Sequence, residues 1–385
     1  MKFDLAAHTI LLTISGSRAY GTHTQDSDVD VKGIAIPPVE SYVGLNHNFE
    51  QADSPGTMNA FLTRLTEEER EISKREKLEG TVYELRKFLA LAADANPNIL
   101  EVLFCDDTHV RVATKDGQML RDNRELFLTA KAKHTLSGYS AAQFKRLKAH
   151  RGYLLNPPKA QPTRAEFGLP QSSQLSKHQL ETAFDIIKKR VDGWELDLGS
   201  IESDADRFAV MEKISESLSE ILTATDSKWK CAARLSGFDE SLVVTLDKER
   251  RYRAAQDDWA RYTNWKKNRN PARAALEEKF GMDCKHASHL VRLMRNCKEV
   301  LLDGKLNVNR TNIDADELLA IRNGSWTYDR LAEFFETEDA RCAEIYNNKL
   351  YKIPHHPDMR SIEALCVKML TTKFGISQEH INYEY

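Results

Sequence analysis

Hydrophobic and polar positions change rhythm along this chain. Residues 9–14 are an apolar-rich run that ends at Gly16-Ser17, and after a short polar stretch Val29, Val31, Ile34 and Ile36 recur among Asp28, Asp30 and Lys32. Alternation of this kind predicts a strand, on which residues two apart face the same way. Residues 2–36 therefore read as strand, turn, short helix, strand. Residues 81–83 read as another short strand. Leu85, Phe88, Leu89 and Ala92 then fall at helical spacing, and Asn96-Pro97-Asn98 ends that helix before an apolar segment at 99–104. From about residue 130 the rhythm is helical, with amphipathic stretches at 137–153, 180–196, 205–225, 252–302, 318–322, 326–335 and 362–370. Residues 37–78 open with Pro37-Pro38 and carry dense mixed charge over 67–77, which predicts a solvated, mobile excursion. Residues 157–171, bearing proline and glutamine, read as a linker. There is no internal repeat. The fold expected is α+β: a small mixed-sheet core in a first domain, residues 1–130, and a larger helical second domain, residues 131–385, with the site in the cleft between them.

Composition changes this picture little. Of 385 residues, 29% are charged and 41% hydrophobic, and the net charge is −3. That suits a soluble globular protein and confines any nucleic-acid surface to a local patch. No secretory leader is visible and no apolar run approaches the ~18 residues of a membrane span. The six cysteines show no paired spacing. A cytoplasmic protein with free thiols is expected, with no membrane partner.

The chemistry concentrates in the first strand pair. Asp28 and Asp30 project from one strand face, about 7 Å apart by strand rise. Two such carboxylates repel unless a cation lies between them, and a hard divalent ion, Mg²⁺ (or Mn²⁺), suits oxygen ligands. Gly16 lets backbone approach a ligand closely. Backbone N–H groups at the following helix start, with the Ser17 hydroxyl, make a phosphate site. Phosphate cradle and paired carboxylates together are the parts needed for metal-assisted phosphoryl transfer.

A second informative block lies near the far end. Gly281 and Asp283 predict a turn and a cap, so a helix opens near Cys284. Lys285, His289 and Arg292 share one of its faces, and Ala287, Leu290, Val291 and Met294 the other. That polar face is either an ordinary solvated side or a phosphate-binding one. The same two readings apply to the basic helix at 137–153. The stripe Tyr252, Trp259 and Tyr262 reads as core ahead of base stacking. Cys284, His286, His289 and Cys297 match no common zinc spacing.

Gly16-Ser17, a spacer of ten and Asp28-Val29-Asp30 resemble the nucleotidyltransferase signature of the DNA polymerase β superfamily. The fuller string from Gly16 to Gly33 resembles the branch associated with RNA ligases and RNA repair, which also occurs in large bacteriophages. The likeness continues through residues 85–104, through the segment from Arg269 to Leu293 and faintly through 321–326, covering roughly 8–36, 81–155 and 259–330. It is weakest over 37–78 and 160–245. The resemblance implies a third carboxylate on a later strand beside Asp28 and Asp30. Glu79, at the strand entrance, is preferred. Glu84 is the other candidate, but an acid in a first helical turn offsets the helix dipole. It further implies that Asp28, Asp30 and Glu79 hold one or two Mg²⁺ (or Mn²⁺) ions and that Gly16 and Ser17 grip the phosphates of a nucleoside triphosphate. Arg18, Lys32, Lys285, His289 and Arg292 would neutralise the triphosphate or the acceptor. The acceptor implied is an RNA 3′ end, such as that of a tRNA, with an RNA ligase or a host protein as partner. Two other functions fit the same residues: nucleotidylation (AMPylation) of a protein hydroxyl, and a catalytically idle nucleotide- or RNA-binding module.

Overall fold

The computed structural model describes residues 3–25, 27–45, 48–75, 78–192, 228–269 and 271–377. The amphipathic stretch expected at 205–225 lies outside them, as does the end of the one at 180–196. Strands β1 (Thr9–Ser15), β2 (Asp30–Ala35), β3 (Gln51–Ala52), β4 (Glu79–Glu84) and β5 (Val110–Ala113) form one mixed sheet in the order β3-β4-β2-β1-β5. β1 runs antiparallel to β2 and β5, and β2 runs parallel to β4. The fold is α+β, as the two rhythms predict: a small sheet at the N-terminal end and a larger helical portion beyond it.

Register fixes which side chains meet. Ser15 lies opposite Asp30 across β1 and β2, and Asp30 lies opposite Glu79 across β2 and β4. Residues in register share a face of the sheet, so Asp30 and Lys32 face the same way as Glu79 and Thr81. That face packs Ile10, Leu11, Ile34 and Ile36 against apolar residues of the helices Leu85–Ala93, Pro97–Leu103 and Cys284–Asp303. The opposite face places Leu12, Ile14, Val29, Val31 and Val82 against Met58, Phe61, Leu65 and Ile72.

Those last four residues correct one expectation. Residues 37–78 are not a solvated excursion: they build the layer that covers the second face of the sheet. Helix Glu67–Arg75 turns Ile72 and Glu69 inward and leaves its other charges outside. Thr66 and Glu69 cap its start reciprocally, at 2.9 and 3.3 Å, which is a capping box. The inward Glu69 is held by the guanidinium of Arg111. Charge density marked the outer surface of the helix and hid its buried residues. A second difference is local. The apolar segment at 99–104 belongs to helix Pro97–Leu103, started by the Asn96 side chain and by proline in the first turn.

Residues 1–154 and 271–385 make one compact unit, and residues 155–270 a second. In the first, helices Ala132–Leu155, Cys284–Asp303, Ala315–Arg322, Tyr328–Asn347 and Met359–Phe374 complete the core. In the second, helices Lys177–Asp192, Lys228–Leu235 and Glu240–Lys267 bury Leu180, Ile187, Ala232, Val243 and Leu246. Arg164 there grips both oxygens of Glu249, at 3.1 and 2.5 Å. Tyr262 is buried and Tyr252 meets Phe167 edge to face, which is the core role preferred for that stripe. All six cysteines are free and buried. Among the described residues no helix is long and apolar enough to cross a membrane.

Candidate active site

β1 ends at Ser15, and Gly16 follows with φ +67°. That left-handed conformation suits glycine. A Cβ built on Gly16 would overlap Oδ2 of Asp30. The absence of a side chain at 16 therefore lets the turn lie directly against the carboxylate on the next strand. The short helix Gly16–Tyr20 closes at Gly21, φ 72°, where a Cβ would overlap the Thr311 hydroxyl. The backbone N–H of Arg310 donates to the Tyr20 carbonyl at 3.0 Å, and Arg322 donates to the carbonyl of Thr22 at 2.9 Å. The far end of the chain thus fixes the turn from outside.

Arg18 holds the aspartate loop. Its Nε donates to the Asp28 carbonyl at 3.2 Å and Nη2 to the Ser27 carbonyl at 3.1 Å. Asp30 sits in a crowded field. Burial pushes its carboxyl up to about 6, the charges of Asp28 and Glu79 push the same way, and Lys285 and Lys32 oppose them.

Opposite the turn stands helix Cys284–Asp303, capped by Asp283, which accepts from the His286 N–H at 3.0 Å. Arg292, 2% exposed, donates to Glu101 at 2.8 Å. The Tyr20 hydroxyl donates to the other Glu101 oxygen at 2.7 Å, and the Arg292 guanidinium lies 3.6 Å from the centre of the Tyr20 ring. Burial pushes the Glu101 carboxyl up, but Arg292, Lys32 and the Tyr20 hydroxyl outweigh it and hold it below the usual range. Arg292 Nη2 also lies 3.2 Å from His289 Nδ1. A guanidinium only donates, so Nδ1 accepts and the ring hydrogen is on Nε2. Burial, then the Arg292 charge, pushes this imidazole down to about 3, so it is neutral at physiological pH.

These elements enclose a cleft of about 370 Å³ lined by Gly16, Ser17, Asp28, Asp30, Lys285, His289 and Arg292 among others, a size suited to a small-molecule ligand. Three sequence-nominated residues lie outside that lining. Arg18 grips the loop from behind. Lys32 is half-buried, the desolvation lowering its pKa, and donates to the Asn98 side chain at 3.2 Å. Glu79 is exposed at the start of β4, in register with Asp30. Glu84, the other candidate, is buried and caps helix Leu85–Ala93 by accepting from the Lys87 N–H at 3.0 Å. Sequence reasoning missed Tyr20, Gln143, His286 and Arg322, which also line the cleft, and Glu101 behind it. Glu101 had a signal: a lone acid inside an otherwise apolar helix needs a buried partner.

Asp28 and Asp30 are hard oxygen donors whose mutual repulsion a divalent cation would relieve, so the pair fits Mg²⁺. Among the described residues no group of three or more His, Cys, Asp or Glu side chains is gathered as a metal site. An ion here would take its remaining ligands from the nucleotide, from water or from Glu79.

Residues 4–155 match the model of a family described as the RNA repair pathway DNA polymerase beta family. That span holds the sheet, the Gly-Ser turn and both aspartates. An uncharacterized 38.9 kDa protein from the nrdC-mobD intergenic region of Enterobacteria phage T4 is 28% identical over 140 residues, 35% of this chain and 37% of that protein. The uncharacterized protein YcgL of Bacillus subtilis is 30% identical over 113 residues, 29% of this chain and 36% of that protein. The chain thus spans little more than a third of the length of either relative. No solved structure matches it.

Proposed function

We propose that this protein is a metal-dependent nucleotidyltransferase that joins a nucleoside monophosphate, taken from a nucleoside triphosphate, to an RNA 3′ hydroxyl during RNA repair. The observation that carries the reading is the close approach of Gly16 to Asp30, which sets the Gly-Ser turn directly against the carboxylates that line the same cleft. The family match over residues 4–155 supports it.

In this reading residues 1–130 supply the catalytic half and residues from 131 onward bind the nucleotide and acceptor. Asp28 and Asp30, with Glu79 beside them, would hold Mg²⁺ (or Mn²⁺). When bound, such ions lower the pKa of an attacking hydroxyl and stabilise a departing pyrophosphate. The chain does the rest by position and charge. Gly16 lets the turn's backbone lie against Asp30, and Ser17 offers a phosphate its hydroxyl. Lys285 supplies positive charge from the opposite wall, and His289 supplies a neutral Nε2–H donor. Lys32 and Arg292 act from behind, raising the potential around Asp30 and Tyr20, and Arg18 keeps Asp28 in place. The acceptor oxygen forms a bond to the α-phosphorus as the bond to the pyrophosphate oxygen breaks.

The test is transfer of label from α-³²P nucleoside triphosphates, with Mg²⁺ present or chelated, into RNA and into protein. Mg²⁺-dependent labelling of RNA that disappears in Asp28→Ala and Asp30→Ala is the expected result. Labelling of protein alone would move the acceptor to a side-chain hydroxyl. Undiminished labelling by the aspartate variants would overturn the mechanism.

A further inference from the structure

The helix Ala132–Leu155 brings one more residue to the cleft, Gln143. Its backbone position is firmly set. Three residues earlier the Ser140 hydroxyl donates to the Leu290 carbonyl at 3.5 Å, and the adjacent Phe144 ring stacks on Phe335 with centroids 4.8 Å apart. The Gln143 amide oxygen is buried and has no hydrogen-bond partner among the described residues. An orphaned buried acceptor is unfavourable, and one that lines a ligand cleft is explained if the ligand supplies the missing donor.

The neighbouring groups narrow what that ligand part is. Phosphate oxygens carry no proton to donate at neutral pH and are repelled by an amide oxygen. The acidic end of the cleft, at Asp28 and Asp30, suits cations and phosphates bridged by them. Two other neutral polar groups of the lining are engaged nearby: Tyr20 donates to Glu101, and Ser288 donates to the Leu318 carbonyl at 2.8 Å. Gln143 offers a planar carboxamide with an acceptor and a donor side by side, the complement of a nucleobase edge. Such a carboxamide pairs in bidentate fashion with the amino group and adjacent ring nitrogen of adenine.

We propose that Gln143 reads the base of the incoming nucleotide and selects a Watson–Crick edge that sets an amino group beside an unprotonated ring nitrogen, that of adenine or cytosine, over guanine and uracil. Its side chain turns from the orphaned rotamer as the base enters, accepting from the amino group and donating to the ring nitrogen. The proposal rests on the nucleotidyltransferase reading, so its test measures binding rather than turnover. The α,β-methylene analogues of ATP, CTP, GTP and UTP are titrated calorimetrically into the full chain with Mg²⁺, for wild type, Gln143→Met and Gln143→Glu. Thermal melting confirms that each variant folds. The expected result is a preference of wild type for the adenine or cytosine analogue over those of guanine and uracil of about tenfold or more, reduced to less than about threefold in both variants while the guanine and uracil analogues bind as before. A wild type that binds all four alike, prefers guanine or uracil, or keeps its preference in Gln143→Met overturns the proposal. Base-selective binding of this kind without any label transfer would uphold it and sink only the enzymatic reading. No binding of any analogue would overturn both.

Discussion

At Gly16 one hydrogen atom separates a working arrangement from a collision with Asp30. Gly16→Ala combines that overlap with a left-handed backbone, which costs about 1–2 kcal/mol for an L side chain. It should lower the urea midpoint accordingly. Nucleotidyl transfer should fall about 100-fold, the loss that a displacement near 1 Å can produce. Gln143→Met touches neither feature and removes an orphaned buried oxygen, so it should raise the midpoint. His289 gives a prediction in pH. Its imidazole stays neutral in the folded protein down to about 3, whereas in the unfolded chain it protonates near 6.5. The unfolded state therefore binds the extra proton in between, and stability is lost as pH falls through that window. The loss reaches about 2 kcal/mol by pH 5. Thermal melts of wild type and His289→Gln at pH 7 and pH 5 should show the variant losing less. That the aspartates and glycine share one cleft could be read from the sequence because their signal is local, although β2 begins at Asp30 and Asp28 stands just before it rather than on the strand. The place of Gln143 could not, because nothing in its own helix distinguishes it from a solvated residue. Contacts to residues distant in sequence, Leu290 and Phe335 among them, fix the helix that carries it.

Among elements, the helices Pro97–Leu103 and Cys284–Asp303 are joined by the ion pair of Glu101 with Arg292, both almost wholly buried. Removing one partner of such a pair leaves an uncompensated charge and costs about 3–5 kcal/mol, whereas replacing both with apolar residues is often close to neutral. Glu101→Ala should thus destabilise strongly in urea titrations. The double variant Glu101→Leu with Arg292→Met should recover most of the stability yet lose the electrostatic support behind the cleft. The sequence displayed Lys285, His289 and Arg292 as one polar face, and its periodicity was right. It could not tell water from a buried carboxylate on the other side of that face, because both satisfy a guanidinium. Helix Glu67–Arg75 misled for the related reason that its abundant charge outweighed Ile72 in the pattern, although Thr66 and Glu69 already spelled out its cap.

At the scale of the molecule, the chain leaves its first compact unit after residue 154 and returns to it at 271. The intervening unit has its own core around Leu180, Ile187 and Leu246. Leu246→Ala should cost about 2–5 kcal/mol in that unit alone. In a denaturation followed by hydrogen exchange, amides of residues 228–267 should lose protection while those of β1 and β2 keep theirs. This interrupted arrangement was beyond the reach of periodicity, which reports elements and says nothing of which ones share a core. The same arrangement imposes an order on biosynthesis. Glu101 and Arg292 are separated by 191 positions, so at about 5–20 residues per second a ribosome leaves that carboxylate waiting for its guanidinium for on the order of 10–40 s. Until then the nascent sheet carries its aspartates without the opposing wall, and the cleft gains its last lining residues only once the ribosome has passed Arg322.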